Sequence, residues 1–245
     1  MTKLNLTVPT SFEDLTQRQL FYYFFLVSSN QYNEDEVKSM CLLRFANVEV
    51  ERNGRDYLVV VDKRKYNLRP RQIAEVLYTM DWMFVFPDYP VRIDVIQRHA
   101  AKYDKYLHGL TFEQYTNLEN LYQGYLYTKD ESLITEMAFI LYGKMMKLSA
   151  PETYSVFYWF STLKRYLSNY FPHFFTPAPV PEAENVDLTE VGRRLEKQLA
   201  TQLRALTKGD ITKQAEILHA DMWTALEELD AQAEEYEQMK KQMKQ

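Results

Sequence analysis

The residue types that perform catalysis or bind metal ions are few and widely spaced in this sequence. The four histidines (His99, His108, His173 and His219) are too scattered to form a pair of metal ligands on one helix. No serine lies in a Gly-x-Ser-x-Gly turn, and the single cysteine, Cys41, lies on the apolar face of a predicted helix, where packing is its usual role. We therefore expect no catalytic residue, no metal ligand and no cofactor, and we expect that the protein is not an enzyme.

Carboxylate side chains are concentrated after residue 220, in the last predicted helix. They are Asp221, Glu227, Glu228, Asp230, Glu234, Glu235 and Glu237. Clustered carboxylates on a long helix usually form a solvated face, and their spacing assembles no pair of a general acid and a general base.

The composition excludes several other classes of protein. Apolar residues make up 46% of the 245 residues, so the chain can bury a sizeable core and is not disordered. Only 6 residues are glycine, which is too few for a glycine-rich phosphate-binding loop. The net charge of -5 disfavours nucleic acid as the main partner, because phosphates attract basic proteins.

The elements that would position any functional residue begin with helices. Thr16 and Gln19 have the spacing of a capping box and predict a helix that ends near Ser28. Asn33 is a good N-cap for a second helix, which ends near Ala46. Capping residues, prolines and glycines then predict helices at about 70–84, 93–106, 111–127 and 128–143.

A β-hairpin is predicted at about residues 47–62. Asn53 and Gly54 separate two β-rich runs, and both residue types adopt the positive φ that a tight hairpin turn requires. Cations outnumber anions by seven to three between residues 51 and 71. A basic ribbon of this kind can contact nucleic-acid phosphates, although a solvated face with protective edge cations gives the same pattern. The candidate phosphate-binding residues are Arg52, Arg55, Lys63, Arg64 and Lys65.

A long aromatic helix is predicted to run to about Phe171. Its start is marked by Ser149 as the N-cap, Pro151 in the first turn and Glu152 as the acidic residue of a capping box. Aromatic and apolar residues surround much of this helix, which indicates burial on more than one side. The alternative is an interface helix, because Tyr and Trp are enriched at interface hot spots. One side of the helix carries Val156, Phe160, Leu163 and Leu167, and another part of its surface carries Tyr158, Trp159, Thr162 and Tyr166.

Residues 172–187 have the composition of a proline-rich linker, and two further helices are predicted at about 188–207 and 211–242. The sequence therefore predicts a mainly α protein. A helical domain with a small β-hairpin insertion, residues 1–171, is followed by the linker and by a C-terminal two-helix hairpin, residues 188–245.

The last predicted helix carries the clearest apolar stripe. Its members recur at steps of three and four residues, as in coiled coils and helical hairpins, and the helix at 188–207 offers a matching stripe. The two helices can simply pack on each other. About ten residues past Ala231, or roughly 15 Å of helix, would extend beyond the shorter partner and would be available to another protein. The candidate interface residues are Met222, Trp223, Leu226, Leu229, Tyr236, Met239 and Met243.

Five segments resemble a family of uncharacterised proteins from prophage-like regions of gut bacteria. They are residues 9–16 with Gln19, and residues 120–126, 156–160, 171–175 and 204–213, the last followed by Trp223, Ala225, Leu226, Leu229 and Tyr236. The resemblance spans nearly the whole chain and implies a role in a phage particle or its assembly, with a size and helical character similar to tail-assembly chaperones. It supplies no catalytic residues.

Two hypotheses follow from these observations. The first is a non-enzymatic phage or prophage structural or assembly protein that acts through helix-mediated contacts with other phage proteins or with further copies of itself. The alternative is a DNA-associated protein of a mobile element that binds through the basic hairpin. The N-terminal segment lacks the features of a secretory signal, and the apolar run at 20–27 is too short to cross a bilayer. We therefore expect a cytoplasmic protein in a bacterial host cell, which the virion can incorporate, with no membrane partner.

Overall fold

A computed structural model describes residues 8–61, 64–175 and 188–243 of the chain. These residues form two compact units. The first contains the described residues up to 87 together with 148–155, and the second contains 88–147 and the described residues from 156 onward. The predicted fold class is confirmed, because the protein is mainly helical with a small antiparallel sheet and C-terminal helices.

The first unit is built on two capped helices, α1 (Gln17–Ser28) and α2 (Glu34–Phe45). Both predicted N-termini are confirmed, and each forms a full capping box, Thr16 with Gln19 and Asn33 with Glu36. These boxes satisfy backbone N–H groups that a helix start would otherwise leave unpaired.

A three-stranded antiparallel sheet follows α2 in the first unit. Its strands are β1 (Glu49–Asn53), β2 (Asp56–Val61) and β3 (Arg64–Leu68), in the order β1-β2-β3. The predicted hairpin is confirmed, but the two turn positions are Gly54 and Arg55, because Asn53 pairs with Asp56. Gly54 supplies the positive φ of 65°. The sequence analysis missed β3, because its alternation of polar and apolar residues is short and follows closely after β2.

The first unit continues with α3 (Pro70–Tyr78) and a 3₁₀ turn at Asp81–Phe84. The core of this unit contains Tyr23 and Phe24 of α1 and Cys41 of α2, all nearly inaccessible to solvent. The Tyr23 hydroxyl donates a hydrogen bond of 2.7 Å to the Met83 carbonyl oxygen. The buried phenol therefore has a partner and does not destabilise the core.

The second unit starts with an irregular segment, residues 88–110, where the predicted helix at 93–106 is wrong. The structure has only two short paired strands there, β4 (Val95–Ile96) and β5 (His99–Ala100). Gln97, Arg98 and Leu107 have positive φ values, which no right-handed helix contains. Side chains from distant helices hold this segment, so its own sequence did not reveal its conformation.

Three helices form the body that follows: α4 (Phe112–Thr128), α5 (Glu131–Tyr142) and α6 (Ala150–Tyr170). The predicted start of α6 is confirmed, and it begins in the first unit and continues in the second. The part of α6 in the second unit is a core helix, as its all-round apolar pattern predicts. Its buried residues there are Val156, Tyr158, Trp159, Phe160, Thr162, Leu163 and Leu167.

The C-terminal helices are α7 (Leu188–Leu206), α8 (Gln214–His219) and α9 (Met222–Gln242). The single helix predicted over 211–242 is wrong, because the chain leaves helical geometry at Ala220 and Asp221 begins α9 as its N-cap. The helices α7 and α9 pack on each other as a hairpin, and both also contact α4. They therefore belong to the second unit together with α4. The sequence analysis had instead predicted residues 188–245 as a separate part of the chain after the linker. Residues 176–187 of that linker lie outside the described part of the chain.

Gly143 ends α5 in the left-handed region, at φ 76°. We expect Gly143→Ala to lower the free energy of unfolding by about 1–2 kcal/mol, because a side chain at this φ is strained. Gly192, inside α7, has open space around the position of a Cβ. Gly192→Ala is the matched control and should raise stability by roughly 0.5–1 kcal/mol, as alanine favours helix. Urea unfolding of both variants checks this, and equal shifts of the same sign would contradict it.

Candidate protein-interaction site

The start of α9 is fixed against an irregular loop, residues 104–110, of the second unit. The Asp221 carboxylate accepts hydrogen bonds from the backbone N–H of Trp223 at 2.9 Å and of Gly109 at 3.2 Å. The backbone N–H of Met222 donates to the Leu110 carbonyl at 2.9 Å, and that of Phe112 donates to the Ala220 carbonyl at 2.9 Å. Because these bonds join distant parts of the sequence, Trp223 has a defined position relative to the loop.

The loop itself is organised by Asp104. Its carboxylate accepts from the backbone N–H groups of Tyr106 and His108, and one oxygen lies 2.6 Å from Nδ1 of His108. Partial burial alone would raise the pKa of Asp104, but the hydrogen bonds from His108 and Tyr106 outweigh it and hold the pKa below its usual value. Leu107, at the centre of the loop, is fully buried despite a φ of 64°. Packing of this side chain offsets the strain of its backbone.

Five ring side chains meet where the loop, α6 and α9 come together. The indole N–H of Trp223 donates to the Tyr106 carbonyl oxygen at 3.1 Å, and the His108 ring stacks on the indole with centroids 5.1 Å apart. The Tyr106 and Tyr166 ring centroids are 4.9 Å apart, and those of Tyr170 and Trp223 are 5.4 Å apart with the rings perpendicular. We call this cluster of Tyr106, His108, Tyr166, Tyr170 and Trp223 the aromatic surface.

The aromatic surface packs against a buried side chain on one side and is exposed to solvent on the other. Phe171 is buried and lies 5.6 Å from Trp223 between ring centroids. Tyr170 is 60% exposed and His108 is also exposed, whereas Tyr166 and Trp223 are half-buried. Burial, followed by the neighbouring Tyr106 and Tyr170 phenols, raises the pKa of Tyr166 above its usual value. The arrangement is a rigid, amphipathic contact surface of the kind that interfaces use as anchors.

The structure separates the seven predicted interface residues of α9 into three groups. Met222, Leu226 and Leu229 are buried in the second unit, so they are core residues and their assignment to an exposed stripe is corrected. Trp223 belongs to the aromatic surface. The remaining three, which continue the stripe in the exposed part of α9, are Tyr236, Met239 and Met243.

The candidate phosphate-binding residues do not share one surface. Arg64 pairs with Val61 and Lys65 with Val60 in the ladder between β2 and β3. Successive residues of a strand point to opposite faces of a sheet, so these two cations lie on different faces, and Arg55 lies in the turn. Lys63 and the side chain of Arg52 lie outside the described residues.

Sequence reasoning missed Tyr106, His108 and Tyr170 as members of the site. Tyr106 and His108 fall at the end of a segment that was predicted to be helical and carry no periodic signal. Tyr170 lies near the end of α6, where the aromatic run was interpreted as core. The enrichment of Tyr and Trp at interfaces was the signal that could have identified it.

The first unit contains a groove and a buried thiol, and neither has the features of a catalytic site. A groove of about 610 Å³ in the first unit lies between α2 and the sheet, but the residues that line it include no histidine, cysteine or serine. Burial raises the pKa of Cys41 to about 12, so this thiol is protonated at neutral pH and is a poor nucleophile. Among the described residues, no group of three or more His, Cys, Asp or Glu side chains could hold a metal ion.

Comparison of the chain with protein-family models, with curated proteins and with solved structures finds no match. No helix within the described ranges has both the length and the apolarity needed to cross a membrane.

Proposed function

We propose that this chain is a non-enzymatic phage or prophage structural or assembly protein that binds a protein partner through the aromatic surface. The observation that carries the proposal is the pair Tyr170 and Trp223, two large rings that pack edge to face at the surface while a buried phenylalanine supports them. Two rings held in this way lose little conformational freedom on binding, which favours affinity.

The composition of this surface fits a protein partner better than a nucleic acid or a small molecule. Tyr and Trp are enriched at the energetic centres of protein interfaces because they combine large apolar area with a polar group. Two cations close to it are already engaged: the Lys105 ammonium lies 5.3 Å from the Tyr106 ring centroid, and Arg165, next to Tyr166 in the sequence, forms an ion pair of 2.6 Å with Asp88. A nucleic-acid surface would instead present cations to phosphates, and the acidic net charge opposes that role.

The resemblance supplies the biological setting of the proposal. It implies that the partner is another phage structural or assembly protein, such as a tail component, and that the chain acts in the host cytoplasm with the option of incorporation into the virion. The same resemblance suggests a function similar to that of tail-assembly chaperones. Neither a structural role nor a chaperone-like role requires a cofactor or a membrane partner.

A single exposed tyrosine gives the direct test. Tyr170→Ala should weaken binding to the partner about 10- to 100-fold, as truncation of an aromatic anchor does. Tyr127, which is 46% exposed at the end of α4, provides the matched control, and Tyr127→Ala should leave affinity unchanged. The partner is first identified by affinity capture from cells that express the phage proteins, with the full chain as bait, and the affinities of the purified pair are then measured by calorimetry.

Two outcomes would contradict the proposal. If the partner binds wild type and Tyr170→Ala equally well, the aromatic surface is not the binding site. If no phage protein is captured, the setting implied by the resemblance is wrong. Deletion of residues 188–245 is not a clean alternative, because it removes the buried Met222 and Leu226 and would expose the core of the second unit.

A further inference from the structure

The apolar stripe of α9 continues past the core of the second unit with a seven-residue period, in which Gln232 is a polar member. Met222, Leu229, Tyr236 and Met243 are separated by seven residues each, and Ala225, Gln232 and Met239 follow at the intervening positions. In a coiled coil these are the a and d positions of the heptad. The stripe therefore has the pattern of a coiled-coil seam along the whole helix.

The seam is covered in its first half and exposed in its second. Ala225 and Leu229 are buried, and Gln232 donates a hydrogen bond of 3.5 Å to the Ala205 carbonyl of α7. Beyond this contact the exposed fractions rise to 56% for Tyr236, 55% for Met239 and 87% for Met243. Three consecutive seam residues of this size in solvent indicate a helix face that a further helix would cover.

The charges beside the exposed seam identify the helix that fits it. Glu235 occupies the g position before Tyr236, and Lys240 occupies the e position after Met239; both are exposed. In a parallel pair of identical helices, the g residue of one chain faces the e residue of the other, so each Glu235 would meet a Lys240. In an antiparallel pair, e faces e and g faces g, and the same residues would repel each other. The seam is thus complementary to a second copy of itself in parallel orientation.

We propose that two copies of this chain associate through a parallel two-stranded coiled coil formed by the exposed part of α9, centred on Tyr236 and Met239. This surface is separate from the aromatic surface, so the inference goes beyond the proposed function and either can fail without the other. The contact is small, with one to two heptads on each side, and a weak, concentration-dependent dimer is expected.

Charge exchange in the full chain tests the proposal. Sedimentation equilibrium over roughly 1–200 μM should show the 29.3 kDa chain converting to a dimer of twice that mass. Glu235→Lys or Lys240→Glu alone should weaken the dimer at least about 10-fold, because each places like charges across the seam. The double variant Glu235→Lys/Lys240→Glu should restore it. An equimolar mixture of the two single variants should form a heterodimer, because both of its cross-seam pairs are again opposite in charge.

A crosslink reports the orientation. In the parallel arrangement the two copies of residue 243 lie side by side, so Met243→Cys should form an intermolecular disulfide under mild oxidation, whereas the natural cysteine is buried and should not. A protein that stays monomeric at all concentrations, a dimer unaffected by the single variants, or a double variant and a mixture that both fail to dimerise would each overturn the proposal. Far-UV circular dichroism of every variant confirms that the charge changes act on association and not on folding.

Discussion

Trp159→Ala is expected to lower the free energy of unfolding by about 3–5 kcal/mol, the range for truncation of a buried aromatic side chain. The side chain is 1% exposed, and its indole N–H donates to the Lys105 carbonyl oxygen at 2.9 Å. The Arg92 guanidinium lies 4.8 Å from the indole centroid, and the Tyr142 ring packs edge-on against it. The substitution therefore leaves a large cavity and an unpaired carbonyl in the core of the second unit.

Trp159→Phe separates these two contributions. It preserves most of the packed volume but removes the N–H donor, so the expected loss is about 1–3 kcal/mol. Both variants are measured by urea denaturation with far-UV circular dichroism, and Tyr127→Ala serves as a surface control that should change stability by less than about 0.5 kcal/mol. A loss below 1 kcal/mol for Trp159→Ala would mean that the helix α6 is not the core element described above.

Lys164→Met is expected to lower the free energy of unfolding by about 2–4 kcal/mol, because it leaves the largely buried Glu119 carboxylate without its cationic partner. The Lys164 ammonium pairs with Glu119 across α6 and α4, where the two side chains are mostly shielded from solvent. The same Glu119 oxygen also accepts from Gln123 at 2.7 Å, but the other oxygen is buried and has no hydrogen-bond donor within the described residues. Lys164 is therefore the charge that makes burial of this carboxylate tolerable.

A double variant distinguishes loss of the pair from simple loss of packing. Lys164→Met/Glu119→Leu removes both charges and should recover most of the stability that Lys164→Met loses, because apolar replacement of a buried pair is often neutral. Thermal or urea unfolding of the single and double variants gives the coupling free energy. Equal destabilisation by the single and double variants would show that the ion pair has no part in the effect.

The sequence predicted those parts of the fold whose signals are local. Thr16 with Gln19 and Asn33 with Glu36 form capping boxes with the spacing that was read from the chain. Gly54 marked the hairpin because few other residues adopt its backbone conformation. The all-round apolar pattern of α6 predicted a core helix, because such a pattern reports burial directly.

The parts that could not be predicted depend on contacts between residues distant in the sequence. The segment at 88–110 is held by the Trp159 indole and by the Thr162 hydroxyl, which accepts from the Val91 N–H at 3.1 Å. The break before α9 arises because Asp221 caps the helix and the chain there bonds to the loop at 104–110. For the same reason, the heptad pattern of α9 could not show that Leu229 is buried while Met239 is exposed.

Two tryptophans donate their indole N–H groups to adjacent peptide carbonyls, Trp159 to Lys105 and Trp223 to Tyr106. The Trp159 indole lies in the interior and the Trp223 indole at the surface. The dipeptide Lys105-Tyr106 therefore connects the hydrophobic core to the aromatic surface. A copy in which this core does not fold would consequently not form the aromatic surface. If the aromatic surface binds a partner as proposed, that partner would bind correctly folded copies in preference to misfolded ones.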